Sequence, residues 1–525
     1  MKIFALVVFL FSLGTRSALA QHQSADLIIQ GGTIYDGSED AKGYAGDVVI
    51  RGDKILYVGP KALLKAERTI DAKGMIVAPG FIDGHTHADH FLDNPDPQQR
   101  QAPAWLMQGV STILIGIDGN GVPEVKNRFD KFKQQGIGTN VAMYVGYEPI
   151  RQRIIGNYDR PPTYTELEAE KELVAQGMCE GALGFSTNLA YAPQNFGKTD
   201  EIIQLAREAG RRGGLYDTHQ RDEASYSIGL LSSIREVLEI GRDADIPVHI
   251  SHIKALGPDT WGKSGDVISL VDQARAAGQT VTANVYSYLA IQTLLSSILM
   301  PHWAMDGGYT AMLRRFDDPA TLGRIREEMQ DNLRRENGAQ SILFTTYGQP
   351  WSGKSLEQVA AEWKIDPVDA AIRIMRQSEM QYMVAFGMIQ SDVDNFIRQP
   401  WVVSGSDGFD GHPRQYANFT NEYVNYVRKR SVISLGFFIR HSTGLSADIY
   451  KLDRRGYLKP GYYADIVVFD PMKYAPKADF IHWDRLSEGV NYLVVNGKLA
   501  VDGGKMTGVL SGRPLPHTPT QGTCL

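Results

Sequence analysis

The sequence predicts an α/β protein: a (β/α)8 barrel of the TIM type carrying a small β-sandwich domain formed by the N- and C-terminal segments. Three observations carry that prediction. Short apolar runs alternate with longer helical stretches through the middle of the chain, glycine-punctuated β-rich segments flank that middle on both sides, and histidines stand at the ends of several apolar runs. A doubly wound open sheet would need a glycine-rich phosphate loop after its first strand, and the sequence has none there.

Taken in order, residues 1–20 read as a secretory signal peptide. Lys2 precedes an apolar stretch over 3–13 broken only by Ser12, and Ala18-Leu19-Ala20 offers small residues at a cleavage site. The stretch is too short to span a bilayer, so cleavage is expected after Ala20, with the mature protein periplasmic or secreted. Residues 21–79 then carry strand-like runs at 26–32, 47–50 and 54–59. The same texture returns at 464–470 and 492–498, so 21–79 and 455–511 are expected to share one sandwich. Between them, 80–454 holds eight strand-like runs, at 80–87, 112–117, 140–146, 182–186, 214–219, 248–252, 280–286 and 401–407. Helices are expected at 165–176, 201–212, 233–242 and 317–335, which supplies the alternation a barrel needs. The Pro- and Thr-rich tail 512–525 is expected to be flexible.

Composition narrows the function. With 54 Lys+Arg against 60 Asp+Glu in 525 residues, the chain has a formal net charge of -6 and no positive field for a polyphosphate backbone. Nucleic acid is excluded as an expected partner and a small molecule takes its place. No stretch after residue 20 is continuous and apolar enough for membrane insertion. Cys179 and Cys524 are the only cysteines, which argues against a disulfide scaffold and leaves His and carboxylate as the metal donors. Cys179 is expected to be an inert buried thiol.

The run Gly80-Phe81-Ile82-Asp83-Gly84-His85-Thr86-His87 carries the first chemistry. Residues two apart on a strand face the same way, so His85 and His87 can aim both imidazoles at one point. His219 and His252 end two later apolar runs, where a barrel presents its reactive groups. Strand parity lets only one of His249 and His252 share that inward direction. His252 is nearer the strand end, and His249 reads as a hydrogen-bonded structural histidine. Asp407 closes the run Trp401-Val402-Val403-Ser404-Gly405-Ser406-Asp407. Beside four histidines it is the natural general base, accepting a proton from metal-activated water and returning it to a leaving amine.

At this point the sequence resembles the amidohydrolase superfamily and, within it, the D-aminoacylases (N-acyl-D-amino-acid deacylases). The resemblance rests on 80–87, Gly181-Ala182-Leu183-Gly184-Phe185-Ser186-Thr187, Tyr216-Asp217-Thr218-His219-Gln220-Arg221-Asp222-Glu223, Ser251-His252-Ile253-Lys254, Ser406-Asp407-Gly408 and the run 459–470. It implies a hydrolase using one or two zinc ions, with iron or manganese compatible with the same donors. His219 and His252 would hold the tighter ion, His85 and His87 a second position, and Asp407 would be the acid/base. It further implies substrate carboxylate recognition by Lys254, Tyr286 and Arg414, with Tyr191 lining the pocket.

Two departures from the family pattern qualify this expectation. Asp118 stands where the family places a metal-binding Cys. Two readings stay open for it, a carboxylate bridging two ions or a turn cap, with Glu148 as the reserve bridging candidate. The family's Tyr-Pro-Tyr segment is Tyr286-Ser287-Tyr288 here, and Gln292 replaces a serine. The expected function is therefore an exported amidohydrolase acting on a linear amide of N-acyl-D-amino acids or of peptides with a D-residue. The alternatives are a cyclic-amide hydrolase resembling hydantoinases and dihydroorotases, and a non-catalytic barrel that binds without chemistry.

Overall fold

Apolar runs that feed a parallel barrel must be buried on both faces, and the eight strands seen here are. The structure is a computed structural model, described for residues 25–39 and 42–524. The barrel strands are Phe81–Asp83, Val110–Ile115, Asn140–Met143 continued by Val145–Gly146, Gly184–Asn188, Leu215–His219, Val248–Ile250, Val281–Val285 and Val402–Ser404. All neighbours pair in parallel, from the first strand to the third and from the continued third to the eighth. The ring closes where Thr86 bridges Gly408 and the amide of Asp407 donates to the carbonyl of His85 at 2.8 Å. This is the architecture expected from the alternation of apolar and helical stretches. The helices Tyr164–Cys179, Thr199–Arg211, Leu230–Ala244 and Pro319–Arg335 lie over the four ranges anticipated for them. The first of these is fixed at its start by a reciprocal Thr163–Glu166 capping box.

The two β-rich ends form one continuously hydrogen-bonded sheet of nine strands. Ala25–Ile34 pairs with Ile76–Pro79, which pairs in turn with Ile466–Phe469, so the sheet needs both ends of the chain. Leu27, Ile29, Ile50, Val77, Val468 and Val494 close its own small core. An antiparallel sheet of three short strands, Ile291–Leu294, Ile342–Leu343 and Tyr382–Ala385, is inserted between the seventh and eighth barrel strands. No periodicity announced it, because its strands run two to four residues and pair across large separations.

Two expectations are corrected. The tail is not free: the amides of Gly512, Leu515, His517 and Thr520 donate to the carbonyls of Ile137, Val141, Gly181 and Arg212. Three of these acceptors lie just before the third, fourth and fifth barrel strands, so the tail crosses the N-terminal end of the barrel. Backbone acceptors left open there satisfy it, and composition alone does not reveal them. Cys179 is not a free thiol either: it forms a disulfide with Cys524, with Cα atoms 5.6 Å apart. The spacing of 345 residues hid a pairing that the docked tail makes geometrically simple. The expected signal peptide lies outside the described residues. Among the described residues no helix is long and apolar enough to cross a membrane.

Candidate metal centre

Barrel strands end in loops that turn their side chains over one mouth, and these loops bring the sequence-predicted donors together. His85 and His87 follow the first strand, Asp118 the second, His219 ends the fifth, His252 follows the sixth and Asp407 the eighth. Asp118, His252 and Asp407 all adopt positive φ (54°, 32° and 49°), a conformation that L-residues hold only when surroundings impose it.

The donor atoms converge. Asp118 Oδ2 lies 3.4 Å from His85 Nε2 and 3.5 Å from His87 Nε2, and its Oδ1 lies 3.6 Å from His252 Nε2. Asp407 Oδ1 lies 3.3 Å from His87 Nε2 and 3.6 Å from His85 Nε2. Donors each about 2.0–2.1 Å from a tetrahedral ion stand about 3.3 Å apart, so the spacings within His85, Asp118, His252 and Asp407 approach the edges of one coordination sphere, while His87 borders that group through Asp118 and Asp407. Asp118 Oδ1 is buried with no hydrogen-bond partner, as an atom meant for a cation would be. The donor set of imidazole and carboxylate suits zinc. Asp118 thus stands at the junction of three histidines.

Electrostatics inside the cluster are strongly coupled. Burial opposes ionisation of Asp118, yet His85, His252 and His87 hold its carboxyl well below the usual carboxylate range. Burial likewise opposes Asp407, and Arg414 with the histidines outweighs it in the same direction. His219 is pushed down to about 4, chiefly by burial. It stands apart from Asp118 and faces Glu223 instead, at 3.4 Å. Glu223 Oε1 also lies 3.1 Å from His252 Nδ1 and 2.6 Å from Lys254 Nζ, so His219, Glu223 and His252 make a second donor group sharing one histidine with the first. Glu223 received no role from the sequence, although its position four residues after His219 was the available signal.

Asp83 likewise received no role from the sequence. Its Oδ1 accepts from the amides of Ser406 and His85, and its Oδ2 from Trp105 Nε1, which fastens the first strand's end to the eighth's. His249 is the buried structural histidine anticipated for it, held by Thr282, Asn284 and Tyr450 below the centre.

The remaining candidates line a cavity of about 590 Å³ that opens onto the cluster. Arg414 is fully buried; its Nη2 contacts Asp407 Oδ2 at 2.8 Å, while its Nε and Nη1 have no hydrogen-bond partner. Tyr286 lies beneath the Arg414 guanidinium, 4.5 Å from ring centroid to Cζ. Lys254 lines the cavity too, but its ammonium is engaged by Glu223 and by His252 Nδ1. Tyr191 packs on His219 with ring centroids 5.0 Å apart. Glu148 is held by Gln194 and Gln152 on the cavity wall and is not among the converging donors. Gln292 donates to the carbonyl of Asp410 on the loop after the eighth strand.

Comparison with known proteins adds three likenesses and one family match. Residues 304–501 match the family model described as "Amidohydrolase family". The D-aminoacylase of Alcaligenes xylosoxydans xylosoxydans is 30% identical, over 94% of this chain and 98% of that protein. A crystal structure of D-aminoacylase superposes with a TM-score of 0.80 at 29% identity, covering 94% of this chain and 100% of the other. The N-acyl-D-glutamate deacylase of Bordetella bronchiseptica, solved with zinc and a phosphonate mimic of the tetrahedral intermediate, gives 0.79 at 28% identity with the same coverage.

Proposed function

The chain belongs to the D-aminoacylase family of amidohydrolases, and from that premise we propose that it hydrolyses the linear amide of N-acyl-D-amino acids outside the cytoplasm. The observation that carries this reading is the placement of Arg414. Arg414 lines the cavity that opens onto the His/Asp cluster, is paired there with Asp407 and keeps a buried Nε and Nη1 without a hydrogen-bond partner, so a guanidinium stands beside the cluster as an amide next to a carboxylate would need.

His85, Asp118, His252 and Asp407 would hold a divalent ion, with His87 beside them against Asp118 and Asp407, and with His219 and Glu223 able to join His252 at a second position. Such an ion, zinc in the Bordetella bronchiseptica relative, supplies a Lewis acid for the amide carbonyl and makes water acidic near neutrality. Asp407 takes the proton from the attacking water and passes it to the departing nitrogen; the pairing of its Oδ2 with Arg414 fixes the plane of the carboxylate for both transfers. Arg414 receives the substrate α-carboxylate from the cavity wall, and Tyr286 lies against its guanidinium. Lys254, tied to Glu223, contributes charge to the same wall and keeps His252 in place.

Export is supported by the leader-like segment 1–20 and by the Cys179–Cys524 disulfide, a bond that persists in oxidising compartments. Metal analysis of the purified protein, paired with a chiral panel of N-acetyl amino acids and a parallel set of hydantoins, tests the reading. Turnover of D- but not L-configured linear amides is expected. Preference for the cyclic amides would overturn it, and a metal-loaded protein inert toward every amide would restore the binding-protein alternative.

A further inference from the structure

A second cavity, of about 710 Å³, adjoins the first along a border that both share, which includes Tyr191, His219, Glu223, Ser297, Met300 and His302. Asp407, Arg414, Tyr286 and Lys254 line only the first cavity. The leaving nitrogen and its carboxylate-bearing carbon must therefore lie on the first side. The acyl carbon points the opposite way along the amide, and His219 is the one centre histidine that borders both spaces. Resting on the function proposed above, we infer that the second cavity is the acyl subsite and that it takes a peptidyl group, so that the preferred substrate is a short peptide ending in a D-residue.

The chemistry of the lining supports a peptidyl occupant over a small or purely aliphatic one. Beside the shared border part of the wall is apolar, with Leu256, Ile298 and Met300 buried, and the neighbouring Arg221 and Asp222 are already engaged, by Glu236 and by backbone amides. Farther out it is charged, along the helix Pro319–Arg335. There Arg324 pairs with Glu328 at 2.6 Å and Arg335 with Asp331 at 2.5 Å, whereas Glu327 has no partner among the described residues. An acetyl group would leave this space unfilled, since cavities of this size take drug-sized ligands. A fatty acyl chain would press its end against charge at the outer mouth. An aminoacyl-aminoacyl group places apolar side chains at the collar and its terminal ammonium near Glu327.

The experiment uses the metal-loaded full-length enzyme and, for each D-residue it accepts, three substrates: the N-acetyl, the N-lauroyl and the L-alanyl-L-alanyl derivative. At least a tenfold higher kcat/KM is expected for the peptidyl form over both others. Glu327→Lys, an exposed change compatible with folding, is expected to lower the ratio of peptidyl to acetyl kcat/KM about two- to fivefold. A ratio near one in the native enzyme, a preference for lauroyl, or a ratio insensitive to Glu327→Lys overturns the inference while leaving amide hydrolysis intact. Failure of all three substrates with metal bound refutes the underlying hydrolase reading instead.

Discussion

Arg414 Nη2 stands 2.8 Å from Asp407 Oδ2, and the other oxygen of the same carboxylate faces His87 Nε2 at 3.3 Å. One buried carboxylate is thereby shared between the imidazole cluster and a guanidinium that still has two donors unused. In the proposed mechanism this contact would couple proton transfer to carboxylate recognition, because a carboxylate held by Arg414 would sit one residue from Asp407.

Asp407→Asn keeps the shape of the side chain and removes its basicity. A fall in kcat of about 10²–10⁴-fold is expected, with metal content per chain unchanged within twofold. Steady-state kinetics alongside elemental analysis check it, and near-native turnover would remove Asp407 from the acid/base role.

Arg414→Met leaves Asp407 without its buried partner and the substrate carboxylate without its fork. Losing one member of a buried charge pair costs about 2–5 kcal/mol, so kcat/KM for an N-acyl-D-amino acid is expected to drop at least about 30-fold. The matching N-acyl amine, which lacks the carboxylate, should lose less. Equal losses for the two substrates would confine Arg414 to orienting Asp407.

Asp118→Ala removes the carboxylate at the junction of three histidines. Metal retention during chelator titration is expected to weaken at least about 10-fold, while the far-UV circular dichroism stays native. Unchanged metal stoichiometry and affinity would return Asp118 to capping its turn.

Cys524→Ser frees the tail that crosses the base of the barrel. Loss of a native disulfide of long span costs about 2–4 kcal/mol. Earlier thermal unfolding is therefore expected, together with protease cleavage within 512–524 detected by intact mass. Reductant should reproduce both effects in the unsubstituted protein, and a variant as stable and as protease-resistant as the parent would show that the backbone hydrogen bonds alone hold the tail.

Glu170 is buried with both carboxylate oxygens unpartnered, and burial together with nearby Glu201 pushes its pKa up to about 8. Its pKa in the fold lies above that of the unfolded chain. The folded state therefore holds the extra proton between the ordinary glutamate range and about pH 8, and stability falls as pH rises through that window. The contribution is about 1.4 kcal/mol per pH unit. Glu170→Gln should flatten the pH dependence of chemical denaturation there and raise stability at the alkaline end. An unaltered profile would mean that Glu170 is ionised and solvated in the fold.

The barrel was legible in the sequence because every strand buried on both faces must be an apolar run, and the helices between them repeat at a different period. The donors at 85, 87, 219, 252 and 407 were legible because a barrel puts reactive groups at the ends of those runs. Glu223 and Asp83 lay inside the quoted motifs, yet their partners Lys254, Ser406 and Trp105 are brought to them only by neighbouring strands and helices. Asp118 had two readings in the sequence, and its position among three imidazoles became visible only once the second strand's loop was in place.

The sequence by itself determined which residues were available for chemistry and in what order the elements would follow, since local periodicity and residue type are properties of short segments. Tertiary structure alone decided the Cys179–Cys524 bond, the docked tail, the inserted sheet, the Asp407–Arg414 contact and the second cavity. Each of these is a contact or a space between segments distant along the chain, and no local pattern encodes a distance that exists only after the barrel has closed.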